Sequence, residues 1–331
     1  MARAVILMLA LIFVFSLVQE RANYPAFYDG GEYVKVAQTL PRAVADAPFC
    51  YRILTPALSR LLPFGHDLNF QIVNTLAFLA FGILLYKYTG SLLSILIFAI
   101  PYHTPLRLLF YYPCLVDAMF YLSVMAALVL LKRDQVNMFI FVVLSFFAVL
   151  NREIGIIIPA MFFIKRRNIV PLVFGAVALA LTRGLGTATN DFTFSTAIVK
   201  SLNMSMGQYG NALFYGLTPL IVFADWKFRN YEILYLAFVI LLSIIGGVNT
   251  IRFIFWAAPV FIPSIVRGLS RYKSDVQTIL ITITAMLVCL KYNQWGGWHI
   301  QCNPADYAKL FVNALIFGGF IVFRMFGKEQ P

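Results

Sequence analysis

Asp29 and Glu32 stand three residues apart in the stretch Tyr28-Asp29-Gly30-Gly31-Glu32-Tyr33, a spacing that puts two carboxylates on one side of a helical turn. A carboxylate held against a reacting hydroxyl can take its proton, which makes Asp29 or Glu32 a candidate general base. The same pair fits a local role too. Asp at a helix N-cap with Glu three positions on is a capping box, which satisfies orphan backbone N–H groups and needs no chemistry. Arg52, Arg152 and Arg252 each carry the planar fork that pairs bidentately with phosphate oxygens, so they are candidates for holding a phosphate. Arg107, Asp117, Glu153 and Asn249 lie at the ends of apolar runs. Charges there are costly and usually face a polar cavity. Singly, each arginine also reads as a snorkelling or helix-pairing charge. Together these residues predict one polar chamber.

The elements that must position them are apolar. The chain of 331 residues is 61% hydrophobic, 16% aromatic and 12% charged, which excludes a large soluble domain and predicts an all-α integral membrane protein, one polytopic domain over residues 1–331. Its net charge of +12 would suggest nucleic acid in a soluble protein. Here Lys and Arg punctuate apolar spans, which favours anionic lipid headgroups and phosphates as partners and argues against nucleic acid.

The first run, Ala4 to Val18, precedes Gln19-Glu20-Arg21 without a small-x-small cleavage site and reads as retained. Further runs cover Phe70 to Tyr86, Ser91 to Leu108, Leu115 to Leu131, Met138 to Leu150, Ile154 to Ile164, Ile169 to Leu181, Ala212 to Ala224, Tyr231 to Val248, Phe253 to Val266, Val276 to Leu290 and Ala308 to Phe323. The expectation is about twelve membrane-spanning helices, several shorter than the ~20 residues a straight crossing needs. With the N-terminus inside, the connections holding Lys87, Lys132-Arg133, Lys165-Arg166-Arg167, Lys227 with Arg229, and Arg267 with Arg271 and Lys273 are all cytoplasmic. The long connections 19–69, 184–211 and 291–307 then lie outside, where function is expected. Within the first of them, Tyr33, Val36, Ala37 and Leu40, then Ile53, Leu54, Ala57, Leu58, Leu61 and Leu62, recur at helical spacing and predict two interfacial amphipathic helices.

Taken in order, the acid at the head of the first outer helix, Pro48-Phe49-Cys50-Tyr51-Arg52-Ile53-Leu54-Thr55-Pro56, Leu115-Val116-Asp117-Ala118, Asn151-Arg152-Glu153 and the Arg252 to Pro259 segment resemble the GT-C superfamily. These are polytopic membrane glycosyltransferases that use polyprenyl-phosphate-linked sugars. The likeness runs over most of residues 1–265. It departs at Asn249, where related sequences often carry an acid, and in the want of the soluble C-terminal domain of larger members.

The resemblance implies a hexosyl- or pentosyltransferase with a polyprenyl-phosphate sugar donor and a glycan, lipid or protein acceptor. Its active site would lie on the outer face, in a bacterial inner membrane in preference to endoplasmic reticulum. Asp29 would be the general base, with Glu32 beside it, and Arg52, Arg152 and Arg252 would hold the donor phosphate. A polysaccharide polymerase or ligase would use arginines on the same face. A lipid-linked sugar flippase would instead place its ionisable residues near the bilayer midplane.

Metal and redox signals are weak. His66, His103 and His299 are scattered without ligand spacing, and the cofactor stays open, a divalent ion at Asp29 and Asp117 being compatible with the residue types. Cys50, Cys114 and Cys302 are expected at the outer face, where a disulfide is permitted but no pairing follows. Asn203-Met204-Ser205 matches the N-glycosylation pattern.

The charge asymmetry predicts the topology directly. With single cysteines introduced at 29 and 166 in a background lacking the native ones, an impermeant thiol reagent on intact cells should label position 29 and spare 166. The reverse pattern would overturn the orientation.

Overall fold

Apolar runs that end in a charged or turn-forming residue become helices here. The computed structural model describes residues 1–18, 29–100, 106, 109–110, 112–190, 219–245, 255–292 and 315–325. These form α1 (Ala2–Val18), α2 (Asp29–Thr39), β1 (Ala43–Ala45), a 3-10 turn (Phe49–Tyr51), α3 (Leu54–Arg60), α4 (His66–Thr89) and α5 (Leu93–Ala99). There follow α6 (Asp117–Lys132), α7 (Met138–Asn151), a 3-10 turn (Glu153–Ile156), α8 (Ile157–Arg166), α9 (Val170–Leu185) and β2 (Gly186–Ala188). A further 3-10 turn (Pro219–Phe223) precedes α10 (Asn230–Ile245), α11 (Ala258–Leu269), α12 (Ser274–Tyr292) and α13 (Leu315–Met325). The protein is mostly helical. Its one described sheet is the parallel pair β1–β2, with Ala43 opposite Gly186 and Ala45 opposite Ala188. Arg107, Asn249, Arg252, His103, His299, Cys302 and Asn203 lie outside the described residues.

Among the described helices, α4, with 24 residues, is the one long and apolar enough to cross a membrane by length and composition. At 1.5 Å per residue it is about 36 Å long. Shorter apolar helices include α1, α7, α9, α10, α11 and α13. Where a span was expected over Ala212 to Ala224, the described part is the 3-10 turn Pro219–Phe223.

The helices run between two chemically distinct ends. At one end, Lys132 Nζ donates to the Tyr88 carbonyl in the last turn of α4 at 3.0 Å. Lys165 donates to the carbonyls of Leu131 and Arg133, and Arg166 to that of Arg133 at 2.9 Å. Helix C-termini leave carbonyls without intrahelical partners and carry partial negative charge, and cations satisfy both. Buried Glu232 completes this end: it accepts from Tyr88 Oη at 2.9 Å and from the Arg229 backbone N–H at 2.8 Å, in a capping arrangement for α10. At the opposite end lie Asp29, Arg52, Asp117, Asn151, Arg152 and Glu153.

Between the ends packs an aromatic core. Phe81 and Phe98 have ring centroids 4.6 Å apart, and Tyr121 and Phe255 close on Phe98 at 6.0 and 5.7 Å. α4 packs along α6 and α7 along α9. The interior also holds polar groups: Asn74 Nδ2 donates to the carbonyls of Pro113 (2.8 Å) and Leu115 (2.7 Å), fixing the approach to α6. Meanwhile Phe13, Phe139, Val177 and Ile240 are more than half exposed. α3 follows the same rule. It buries Thr55, Pro56 and Ser59, whereas Leu61 and Phe64 beyond it are 80% and 56% exposed.

The turn after α7 requires glycine. A Cβ on Gly155 would sit 2.3 Å from the Ala148 carbonyl oxygen, well inside contact distance and against backbone that cannot step aside. Gly155→Ala should therefore cost about 1–3 kcal/mol and lower the midpoint of thermal unfolding in detergent. An unchanged midpoint would show that the turn relaxes freely.

Candidate functional site

The site is built around the junction Asn151-Arg152-Glu153. α7 ends at Asn151, and Arg152 leaves the helix fully extended, with φ −160° and ψ 131°. Extension makes successive side chains diverge, so three neighbours reach three different elements. Asn151 Oδ1 accepts from Thr55 Oγ1 on α3 at 2.6 Å, and its Nδ2 donates to the Val116 carbonyl ahead of α6 at 2.9 Å. Arg152 Nη1 donates to Asp117 Oδ1 at 2.6 Å. Glu153 takes Arg52 bidentately, from Nη2 at 2.7 Å and from Nε at 3.0 Å.

Both ion pairs are framed by aromatic rings. Arg52 Nη1 donates to Tyr33 Oη at 2.7 Å, and its guanidinium lies 5.4 Å from the Phe49 ring centroid. Arg152 lies 4.4 Å over Trp256, whose indole N–H reaches Asp117 Oδ1 at 3.2 Å. Trp256 is 1% exposed. Burial by itself would push the Glu153 carboxyl up, but the Arg52 guanidinium outweighs it and holds that carboxyl at about 2.

Asp29 opens α2 and is half-buried. It stands four residues before Tyr33, hence on the same helix face and about 6 Å along the axis, which brings it towards the Tyr33–Arg52 contact. Glu32 is engaged elsewhere: Oε1 pairs with Lys35 Nζ at 2.6 Å and Oε2 accepts from the Asp46 backbone N–H at 2.8 Å. The first bond stays within one turn of α2, and the second ties α2 to the residue that follows β1, a structural use of the carboxylate.

Of the residues singled out by sequence, Asp117, Arg152, Arg52 and Glu153 thus meet as two ion pairs, and Asp29 lies one helical turn before Tyr33. Arg107, Arg252 and Asn249 fall outside the described residues. Sequence reasoning passed over Trp256, Asn151 as the strut between α3 and α6, and Tyr33 as a partner of Arg52. Single aromatics in an apolar run carry no pattern that would have marked them. Cys50 and Cys114 are both buried and free, and Cys114 Sγ lies 3.3 Å from Asp67 Oδ1.

Asp117 uses Oδ1 on a guanidinium and an indole N–H, and no three potential metal-ligating side chains converge among the described residues.

No known protein family matches the chain, and neither characterised proteins nor solved structures show a significant similarity to it. The class the fold and site define is therefore a physical one: a helical protein with large apolar side chains exposed on several of its described helices, a basic end and a charge-paired polar end.

A carboxyl depressed in the fold contributes stability that is complete above its ordinary value of 4.5 and is lost as pH falls through about 2. The thermal stability of the wild type should accordingly fall between pH 4.5 and 2. Glu153→Gln should remove that part of the pH dependence. It should also be destabilised at neutral pH by about 3–5 kcal/mol, because buried Arg52 loses its carboxylate. Acid and neutral melting curves of the two proteins check both.

Proposed function

We propose that this protein is a polytopic membrane glycosyltransferase that moves a sugar from a polyprenyl-phosphate donor to a hydroxyl of a glycan, lipid or protein acceptor. The observation that carries the reading is that Asp29 stands one helical turn before Tyr33 on α2, whose hydroxyl accepts from Arg52 in a buried set of ion pairs at the end opposite the basic one. Base and cations share one locality, as transfer from a phosphate ester requires.

Several features support membrane embedding with multiple spans. Large apolar side chains face outward on α1, α7, α9 and α10 while Asn74, Asn151 and Ser145 are buried. Exposed apolar side chains on several helices, with polar ones inside, are what contact with lipid favours. Lys132, Arg133, Lys165 and Arg166 gather at the end that the positive-inside rule assigns to the cytoplasm.

In the proposed reaction the Asp29 carboxylate takes the proton from the acceptor hydroxyl as its oxygen attacks the anomeric carbon. The bond from that carbon to the phosphate oxygen breaks, and the electron pair leaves with the polyprenyl phosphate. Attack opposite the leaving group inverts the anomeric centre. The leaving oxygen needs positive charge near it more than a proton donor, and Arg52, Arg152 and Arg252 are the residues proposed to supply it. Glu32 is engaged by Lys35 and the Asp46 amide, which disfavours it as the base, and Asp29 is the carboxylate proposed for that role.

Purified full-length protein in nanodiscs, given a panel of labelled polyprenyl-phosphate sugars, should release polyprenyl phosphate; a flippase would release none. Asn is nearly as good an N-cap as Asp, so Asp29→Asn should keep α2 yet lose transfer by about 10² to 10⁴-fold. Glu32→Gln should lose less. Near-normal transfer by Asp29→Asn would move the base elsewhere.

A further inference from the structure

We propose that Arg183 is an anion-binding residue that receives a phosphate group at the polar end. The proposal rests on the transferase reading for the identity of the ligand and on independent geometry for the site.

The cations already described at this end are occupied. Arg52 and Arg152 each face a carboxylate at 2.7 and 2.6 Å, so the four groups are neutral as a set. Lys35 pairs with Glu32, and Arg60 donates to the Leu40 carbonyl. Arg183, in the last turn of α9, is exposed. Among the described residues it makes no ion pair and no hydrogen bond; its guanidinium carbon lies 3.7 Å from the ring centroid of Tyr51. Arg42 is equally exposed, but no described contact orders it.

A guanidinium held 3.7 Å over an aromatic ring is restrained in position, while its N–H groups make no hydrogen bond among the described residues. Those N–H groups form the fork that matches two phosphate oxygens, and holding the group in place beforehand removes part of the entropic cost of binding. The stack is built by several elements. Tyr51 ends the 3-10 turn that leads into Arg52. The chain after Arg183 is held beside it by the pairing of Gly186 with Ala43 and by Asn190 Oδ1 accepting from the Ala47 backbone N–H at 2.8 Å. A Cβ at Gly186 would stand 2.6 Å from Tyr51 Cδ1, so a side chain there would push the ring out of place.

The plain structural alternative is that Arg183 offsets the partial negative charge of the α9 C-terminus and pins Tyr51, with no ligand involved. Arg183→Lys preserves that charge and removes the fork. The two roles therefore separate by binding, not by stability.

The test uses full-length protein in phosphatidylcholine nanodiscs with labelled polyprenyl monophosphate as the probe. Uncharged polyprenol is the control, and inorganic phosphate and phosphatidylglycerol are competitors. Arg183→Gln should weaken polyprenyl monophosphate binding about tenfold or more. Arg183→Lys should weaken it less, and polyprenol binding should not change.

Competition by inorganic phosphate that disappears in Arg183→Gln assigns the site to the phosphate group as such. Competition by phosphatidylglycerol alone, lost in the same variant, assigns it to a lipid headgroup. Equal affinities of wild type and Arg183→Gln, with sugar transfer intact, overturn this inference and leave the transferase reading standing. Inorganic phosphate binding through Arg183 without sugar transfer overturns the transferase reading and leaves the anion site. Failure of the wild type to bind any of the charged probes overturns the site itself.

Discussion

Buried charge has to be matched where it lies, and that requirement fixes the polar end of this molecule. Arg152 and Asp117 retain only 4% and 5% of their side-chain exposure, and Arg52 retains 8%. In such surroundings an unpaired ion costs several kcal/mol while a well-formed pair roughly offsets its own desolvation. The consequence is geometric more than energetic. α2 and the 3-10 turn before α3 can dock only where Arg52 meets Glu153, and α6 can approach α7 only where Asp117 meets Arg152. The extended backbone at Arg152 makes both possible, because it sends Asn151, Arg152 and Glu153 to three elements from one short stretch. The segment from α2 to α3 is thereby registered against the helical body by bonds that tolerate little displacement.

The opposite end is organised by a different use of charge. Lys132, Lys165 and Arg166 meet backbone carbonyls at helix ends, with no carboxylate needed. These are the residues that sequence assigns to the inner face by counting charges. One set of lysines and arginines can thus serve orientation and capping together, since both depend on positive charge at the same helix ends. Glu232 is the exception that fits: a buried carboxylate at the basic end, held by the Tyr88 hydroxyl and the Arg229 amide, fixes the start of α10 against α4.

The helices were largely legible because charge and proline bound long apolar runs: Met138 to Leu150 became Met138–Asn151, and Leu115 to Leu131 became Asp117–Lys132. The full set of crossings was less so, since most described helices are shorter than α4 and composition alone does not set where a run stops being helical. Helical periodicity located α3 but not the face it buries. In an apolar setting a leucine has no reason to point inward, and the side chains gathered inside are Thr55 and Ser59, with Thr55 bonded to Asn151. The membership of the site was legible as residues, not as pairs. Which acid meets which arginine depends on how α6, α7 and the segment from α2 to α3 converge, and no local pattern encodes that convergence. Trp256 was invisible for the same reason. Its role comes from stacking on Arg152 and donating to Asp117, partners far away in sequence.

A neutral, rigid set of ion pairs also shapes what the proposed transfer can use. Two arginines already matched by carboxylates attract a distant anion weakly, so the field at this end comes from their fixed dipoles and from cations outside the pairs. Preorganised dipoles of that kind favour charge that develops in the transition state over charge already present in the ground state. A lipid phosphate arriving at the membrane surface would be captured first by an accessible guanidinium such as Arg183, whose orientation is set by Tyr51. The bond to the sugar would break close to Arg52, which Glu153 and Tyr33 hold in place. Capture and catalysis then fall to different arginines, a division that follows from which cations the fold leaves matched and which it leaves exposed.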